Sequence, residues 1–237
     1  MSTGLSLIIP VLNEIELLPE LVRQIEALNP EQAIIVDGGS EDGSWEWLQE
    51  HWLAPSTSRV LLVATTGRAQ QMNAGAQAAE QDVLLFLHAD TQLPSNAKEL
   101  LVNAVFGNNL ERFWGRFDVR FSSTKHRNAM RVIAYFINLR SRVSRVATGD
   151  QAIFVSRLLF NQIQGFDDIE IMEDVALSKK LRRIAKPQCM RATVTSSARR
   201  WEHNGVISTV IQMWLYRLAF VLGVEPARLK RGYRNVR

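Results

Sequence analysis

A single cysteine, Cys189, stands in a chain of 237 residues. No internal disulfide can form and no cysteine-rich zinc site can be built from one thiol. The apolar run LSLIIPVL near the start has no basic stretch before it and no small-residue cleavage site after it. It therefore reads as a buried strand rather than a secretory leader. Together with the lone thiol, this sets the expectation of a cytoplasmic protein. No stretch rich in Gly or Pro divides the chain, and neither an internal repeat nor a low-complexity tract occurs. One domain over residues 1–237 is the expected organisation. The apolar stretch from Val206 to Val224 is broken by Ser208, Thr209, Gln212 and Arg217, which argues against a bilayer span. Phosphate-gripping loops of the familiar kinds are missing too. DGGSEDG after the second apolar run lacks a Walker lysine and does not follow G-x-G-x-x-G spacing.

What is present is an ordinary soluble composition, 46% apolar and 22% charged, with an uneven distribution of charge. Arg116 to Arg145 holds eight Lys/Arg against one acid, Asp118, and Arg199 to Arg237 holds eight against Glu202 and Glu225. Basic segments of this kind suit anionic lipid, a phosphorylated small molecule or nucleic acid, or form a solvated surface. No nucleic-acid reading motif accompanies them, so nucleic acid is not an expected partner.

The first half alternates continuous apolar runs with helical patterns. LSLIIPVL, AIIVDGG, RVLLVAT and VLLFLHAD read as strands. Between them lie EIELLPELVRQIEAL, SWEWLQEHWL and RAQQMNAGAQAA, read as helices. Such alternation predicts an α/β fold, a mostly parallel sheet flanked by helices. The second half predicts a strand in RFWGRFDVRF, a basic helix in HRNAMRVIAYFINLRSRV, a turn into a strand at TGDQAIFV and an acid-led helix in MEDVALSKKLRRI. A C-terminal helical extension follows.

Parallel sheets bind ligands beyond the carboxyl ends of their strands, so polar residues at those ends are the site candidates. PVLNE offers Pro10, Asn13 and Glu14, the second strand ends in Asp37, and the fourth ends in His88 and Asp90. Asp37, facing the cleft after a glycine turn, can accept hydrogen bonds from a base or ribose. Asp42 is read as the cap of the SWEWLQEHW helix, and Glu14 alternatively as part of the first turn of its own helix. In GRAQQMNAGA, Gly67 and Arg68 at a helix start suit a diphosphate. The same small residues would also let that helix pack closely.

In order along the chain, PVLNE, DGGSEDG, GRAQQMNAGA, FLHADT, GDQ and MED resemble glycosyltransferase family 2 enzymes of the GT-A fold. The closest likeness is to a small bacterial subgroup with G-R-A-x-Q-M-N and H-A-D-T variants, and it spans Leu5 to about Trp201. The resemblance implies an inverting glycosyltransferase that moves a hexosyl or related sugar from a nucleotide-diphospho sugar to an acceptor hydroxyl. It further implies a nucleotide-binding half over 1–91, an acceptor half over 92–201 and an amphipathic basic segment over 202–237. Pro10, Asn13, Glu14, Asp37, Gly67, Arg68, Asn73, Asp90 and Arg200 would face the donor. Asp174 would be the general base with Glu173 orienting it, and Gly149, Asp150, Gln151 and Trp201 would lie on the acceptor side. His88-Ala89-Asp90 stands where the family has a D-x-D metal motif. A divalent cation, Mn²⁺ or Mg²⁺, is the implied cofactor on Asp90, with His88 either a second ligand or part of the sugar pocket.

The sequence does not name the acceptor, and a lipid-linked one is among the expectations. Trp214, Tyr216 and Phe220 with Arg228, Lys230, Arg231 and Arg234 fit a helix lying on an anionic membrane, at the inner face of the cell membrane, or a helix packed on the domain or a dimer partner. Two other classes compete: a nucleotidyltransferase of the same fold, which PVLNE does not favour, and a non-catalytic binding protein at a membrane surface.

Overall fold

Strand β1 (Leu5–Val11) is flanked on both faces, and its alternate side chains explain how. Leu7, Ile9 and Val11 enter one core, while Ile8 enters another on the opposite face, as the two-residue period of a strand requires. The computed structural model describes residues 4–52, 59–123 and 125–232. Among these, β1, β2 (Gln32–Asp37), β3 (Arg59–Val63), β4 (Val83–Phe86), β5 (Thr91–Gln92), β6 (Trp114–Ser122), β7 (Ile153–Ser156) and β8 (Gln188–Ser197) form one eight-stranded sheet in the order β3-β2-β1-β4-β7-β6-β8-β5. The first four pair parallel, as do β6 and β8, whereas β7 runs antiparallel to both β4 and β6. The fold is the expected α/β one. The β8 strand was not visible in the sequence pattern because its side chains are mostly half-buried and polar.

Helices α1 (Leu18–Leu28) and α4 (Ala97–Phe106) cover one face, with α1 burying Leu18, Leu21, Val22, Ile25 and Leu28. Each such leucine stabilises the fold by about 1.5–3 kcal/mol. The helix begins later than the EIELLPELVRQIEAL pattern predicts, because a turn from Glu14 to Leu17 precedes it and Pro19 suits only a first helical turn. Helices α3 (Arg68–Gln77) and α7 (Glu173–Ile184) cover the other face. Gly75 sets how closely α3 approaches, since a Cβ there would lie 2.5 Å from Ile8 Cγ2. Helix α2 (Ser44–His51) starts at Ser44 with Gly43 before it, so Asp42 is not its cap residue. Asp42 instead accepts from Ser44 N at 2.9 Å and Ile15 N at 3.0 Å, stitching the exit of β2 to that of β1.

The order β3-β2-β1-β4 reverses direction at β1, which opens a crevice between the carboxyl ends of β1 and β4. Pairing of β1 with β4 ends at Ile8–Phe86, whereas pairing with β2 continues to Val11–Asp37. Pro10, which has no N–H to donate, falls where β1 has already parted from β4. In the second half, α5 (Arg127–Ser144) lies on β6, and the short α6 (Arg157–Gln162) follows β7. Beyond β8 come α8 (Arg199–Asn204), α9 (Val206–Val221) and α10 (Pro226–Gly232).

Candidate active site

The crevice at the end of β4 is lined by Met72, Phe86, His88, Gly149, Ile153, Phe166, Glu173 and Asp174. His88 leaves β4 one residue after buried Leu87, and its Nδ1 lies 3.7 Å from Asp150 Oδ1. The imidazole rests on Gly149, where a Cβ would collide with the ring. Asp174 Oδ2 accepts from Gly149 N at 2.8 Å and its Oδ1 from Val175 N at 2.7 Å. These two bonds fix the carboxylate plane and leave each oxygen a second lone pair. Glu173 is only 6% exposed, and Arg68 Nη1 reaches its Oε1 at 3.6 Å. Burial pushes the Glu173 carboxyl above its ordinary value and the neighbouring Asp174 adds to this, while Arg68 and His88 act in the opposite direction. Three chain segments thus place two acids, an arginine and an imidazole around one cleft.

At the exit of β1, Asn13 adopts a left-handed backbone with φ of 55°, a conformation asparagine tolerates. Its Oδ1 accepts from Glu41 N, and Glu14 Oε2 accepts from Arg199 Nη2 at 3.4 Å. Glu14 therefore precedes the helix rather than sitting in its first turn. Gly67 begins α3 with φ of 151°, and Arg68, the first helical residue, keeps 47% of its side chain exposed. Asp90 is half-buried, with Thr91 Oγ1 its neighbour at 3.3 Å.

Four expectations meet a different local arrangement. Asp37 is 1% exposed and does not face the cleft: the turn at Gly38 and Gly39 brings Gly39 N, Ser40 N and Ser40 Oγ onto its carboxylate. Asn73 spends its amide on the backbone of Phe166, donating to the carbonyl at 2.9 Å and accepting from the N–H at 3.0 Å. Gln151 is fully buried, bonded to Thr148 N and to Asn138 Oδ1. Trp201, expected on the acceptor side, is 5% exposed and is not among the side chains lining the cleft. It packs edge-on against Phe121 and beside Met130 in a small third core. Arg200, the remaining donor candidate, has its side chain outside the described residues. Sequence reading passed over Gln71, whose Nε2 bonds the carbonyls of Val11 at 2.7 Å and Val36 at 2.8 Å and so ties both strand exits to α3. It also passed over Arg140, which carried no motif and was hidden within a helix that looked merely basic.

Among the described residues, no three His, Cys, Asp or Glu side chains gather closely enough to hold a metal ion alone. Asp90 supplies one carboxylate. That donor set fits a hard cation which keeps few protein ligands and takes the rest from substrate phosphates.

Known proteins share this architecture. The model of the family described as Glycosyl transferase family 2 matches residues 6–163. An undecaprenyl-phosphate 4-deoxy-4-formamido-L-arabinose transferase of Pseudomonas savastanoi pv. phaseolicola is 39% identical over 97 residues, which take in 38% of this chain and 28% of the relative. The transferase of the same name from Pectobacterium carotovorum subsp. carotovorum is 39% identical over 98 residues, 38% of this chain and 30% of the relative. The match thus spans less than a third of the length of these curated relatives. Among solved structures, the mannosyltransferase PcManGT from Pyrobaculum calidifontis, in complex with GDP-Man and Mn²⁺, superposes with a TM-score of 0.61 at 19% identity, covering 100% of this chain and 66% of that one. S. aureus TarS 1–349 gives 0.59 at 15% identity, covering 82% and 60%. At these identities the likeness concerns the fold.

Proposed function

Because this chain belongs to glycosyl transferase family 2, we propose that it transfers a sugar, with inversion, from a nucleotide-diphospho sugar to an acceptor hydroxyl. The observation that carries this reading is the convergence of Arg68, His88, Glu173 and Asp174 on one cleft at the switch point of the sheet. Arg68 and the amides that open α3 take the donor diphosphate, a use suited to a forked cation at a helix N-terminus. Asp90, with His88 beside it, would hold a divalent ion together with the donor phosphates, and the ion would offset the charge that grows on the leaving diphosphate.

Asp174 is the general base. Its carboxylate, oriented by Gly149 N and Val175 N, takes the acceptor hydroxyl proton as that oxygen attacks the anomeric carbon. The new carbon–oxygen bond forms opposite the bond to phosphate, which breaks and leaves with its electron pair on the nucleoside diphosphate. Glu173 does not compete for the role, because Arg68 covers it. Once the diphosphate draws Arg68 away, the buried Glu173 loses an opposing charge and holds its proton more firmly still.

The tail fits attachment to an anionic bilayer. Relatives named for undecaprenyl phosphate support a lipid-linked acceptor, and exposed apolar residues support the surface. On α5, Val132, Tyr135, Phe136, Leu139 and Val143 form a solvent-facing stripe; on α9, Ile207, Ile211, Trp214, Leu218 and Val221 form another. Both helices are rich in arginine or flanked by it, as an anionic surface requires. Among the described residues no helix is long and apolar enough to cross a membrane.

The donor assignment is tested by calorimetry with GDP and UDP, with and without Mn²⁺. Arg68→Ala should weaken the preferred diphosphate by about tenfold or more, and Asp90→Ala should remove the dependence on Mn²⁺. Unchanged binding in both variants contradicts the donor site.

A further inference from the structure

Helices α5 and α9 meet along a seam that changes character along its length. At one end it is apolar: Met130 and Ile133 of α5 pack with Val206, Val210 and Met213 of α9. Two helical turns further on, each row carries an arginine, Arg140 seven residues after Ile133 and Arg217 seven residues after Val210. The two cations lie close enough for Arg217 to hold down the pKa of Arg140, which stands at about 10, chiefly through burial, while Asp174 acts in the opposite direction. Like charges facing across a helix seam are costly without an anion between them.

Asp118 is engaged by Arg116 and Arg142. Arg116 is further satisfied by Ser141 Oγ and the carbonyls of Phe117 and Asn138. Asp174 is held by two backbone N–H groups. Arg140 is left with Nε and Nη2 buried and without a hydrogen-bond partner. Buried donors are nearly always paired, so an orphaned guanidinium marks a place where a partner belongs. The cation–π contact of Lys179 with Phe220, at 4.6 Å, ties the end of α9 to α7, the helix that Asp174 opens. The orphaned donors also lie near the candidate base, close enough for the Asp174 carboxylate to act on the Arg140 guanidinium.

We propose that Arg140 and Arg217 grip a phosphate group carried by the acceptor. The proposal rests on the glycosyl-transfer reading and deepens it: Asp174 takes the hydroxyl proton while the two arginines anchor the phosphate of the same molecule. A guanidinium is suited to this, because its planar fork matches phosphate oxygens. The apolar stripes on the same two helices fit a phosphate attached to a lipid, and free phosphate has the same recognition chemistry.

The test is binding to the full chain of three probes: farnesyl phosphate, farnesol and inorganic phosphate. The native protein should bind farnesyl phosphate about tenfold or more tighter than farnesol, and Arg140→Met or Arg217→Gln should each erase most of that margin. GDP or UDP affinity should stay at the native level in both variants. Arg140→Met should also melt no lower than the native protein, since methionine has no donors to satisfy. Inorganic phosphate binding weakly, and losing that binding in Arg140→Met, supports the site with a lipid-borne source. Inorganic phosphate binding as tightly as farnesyl phosphate, with the same sensitivity, supports the site with a soluble source. Equal affinity for farnesol and farnesyl phosphate overturns the proposal, as does a lowered melting temperature with phosphate binding retained. If nucleoside diphosphates bind normally in that case, only this inference falls. If the native protein binds none of them, the glycosyl-transfer reading falls with it.

Discussion

Glu173 and Asp174 are adjacent in sequence but live in different surroundings. Asp174 is half-buried and held by two amides, whereas Glu173 is buried beneath Arg68 with its carboxyl pushed upward. A carboxyl whose pKa is higher in the folded chain than its ordinary 4.5 binds its proton more tightly folded than unfolded. Stability from this group is therefore fullest below 4.5 and declines as pH rises through the interval up to the raised value. Glu173→Gln removes that decline. The variant should melt higher than the native protein at neutral pH, and the gap should close as the solution is acidified towards pH 4.5. Melting curves across pH decide this, and a gap independent of pH contradicts the account. The sequence made the acid pair legible because both residues open a helix beside other motif residues. It did not distinguish their roles, since burial of Glu173 depends on distant partners. Asn73 teaches the same lesson, since its amide is consumed by Phe166, 93 residues away. A polar letter within a motif does not reveal whether its partner is a ligand or the chain itself.

At the scale of elements, strand exits were easier to read than side-chain directions. Continuous apolar runs gave β1, β2 and β4, and glycine at position 75 is explained by the close approach of α3 to Ile8. Helix α9 was read two ways, as packed on protein or as lying on a membrane, and its geometry accommodates both. Val210 and Met213 pack against the third core, while Trp214 is 64% and Leu218 56% exposed on the far face. If α9 lies on a bilayer, apolar contact and charge would hold it there together. The protein should co-sediment with anionic vesicles, leave them as salt rises, and fail to bind when Trp214 and Leu218 are both replaced by Asp. Binding of nucleoside diphosphates should not change in that double variant. Equal sedimentation with neutral and anionic vesicles, or by native and variant protein, runs against the role given to α9.

At the scale of the whole molecule, one eight-stranded sheet carries the residues proposed for the diphosphate and for the acceptor, and its strand order reverses at β1. The parallel half was legible from alternation alone. The second half was less so: β8 is polar and half-buried, and β7 inserts antiparallel between β4 and β6. The central claim, that this scaffold positions Asp174 to deprotonate an acceptor against a bound donor, is tested most directly by Asp174→Asn. The substitution keeps shape and removes basicity. With a nucleotide sugar and a phosphate-bearing acceptor, release of nucleoside diphosphate is measured alongside calorimetric donor affinity. The account predicts native donor affinity and transfer slowed by about 10²-fold or more. Near-native transfer by a folded, donor-binding Asp174→Asn protein would contradict it.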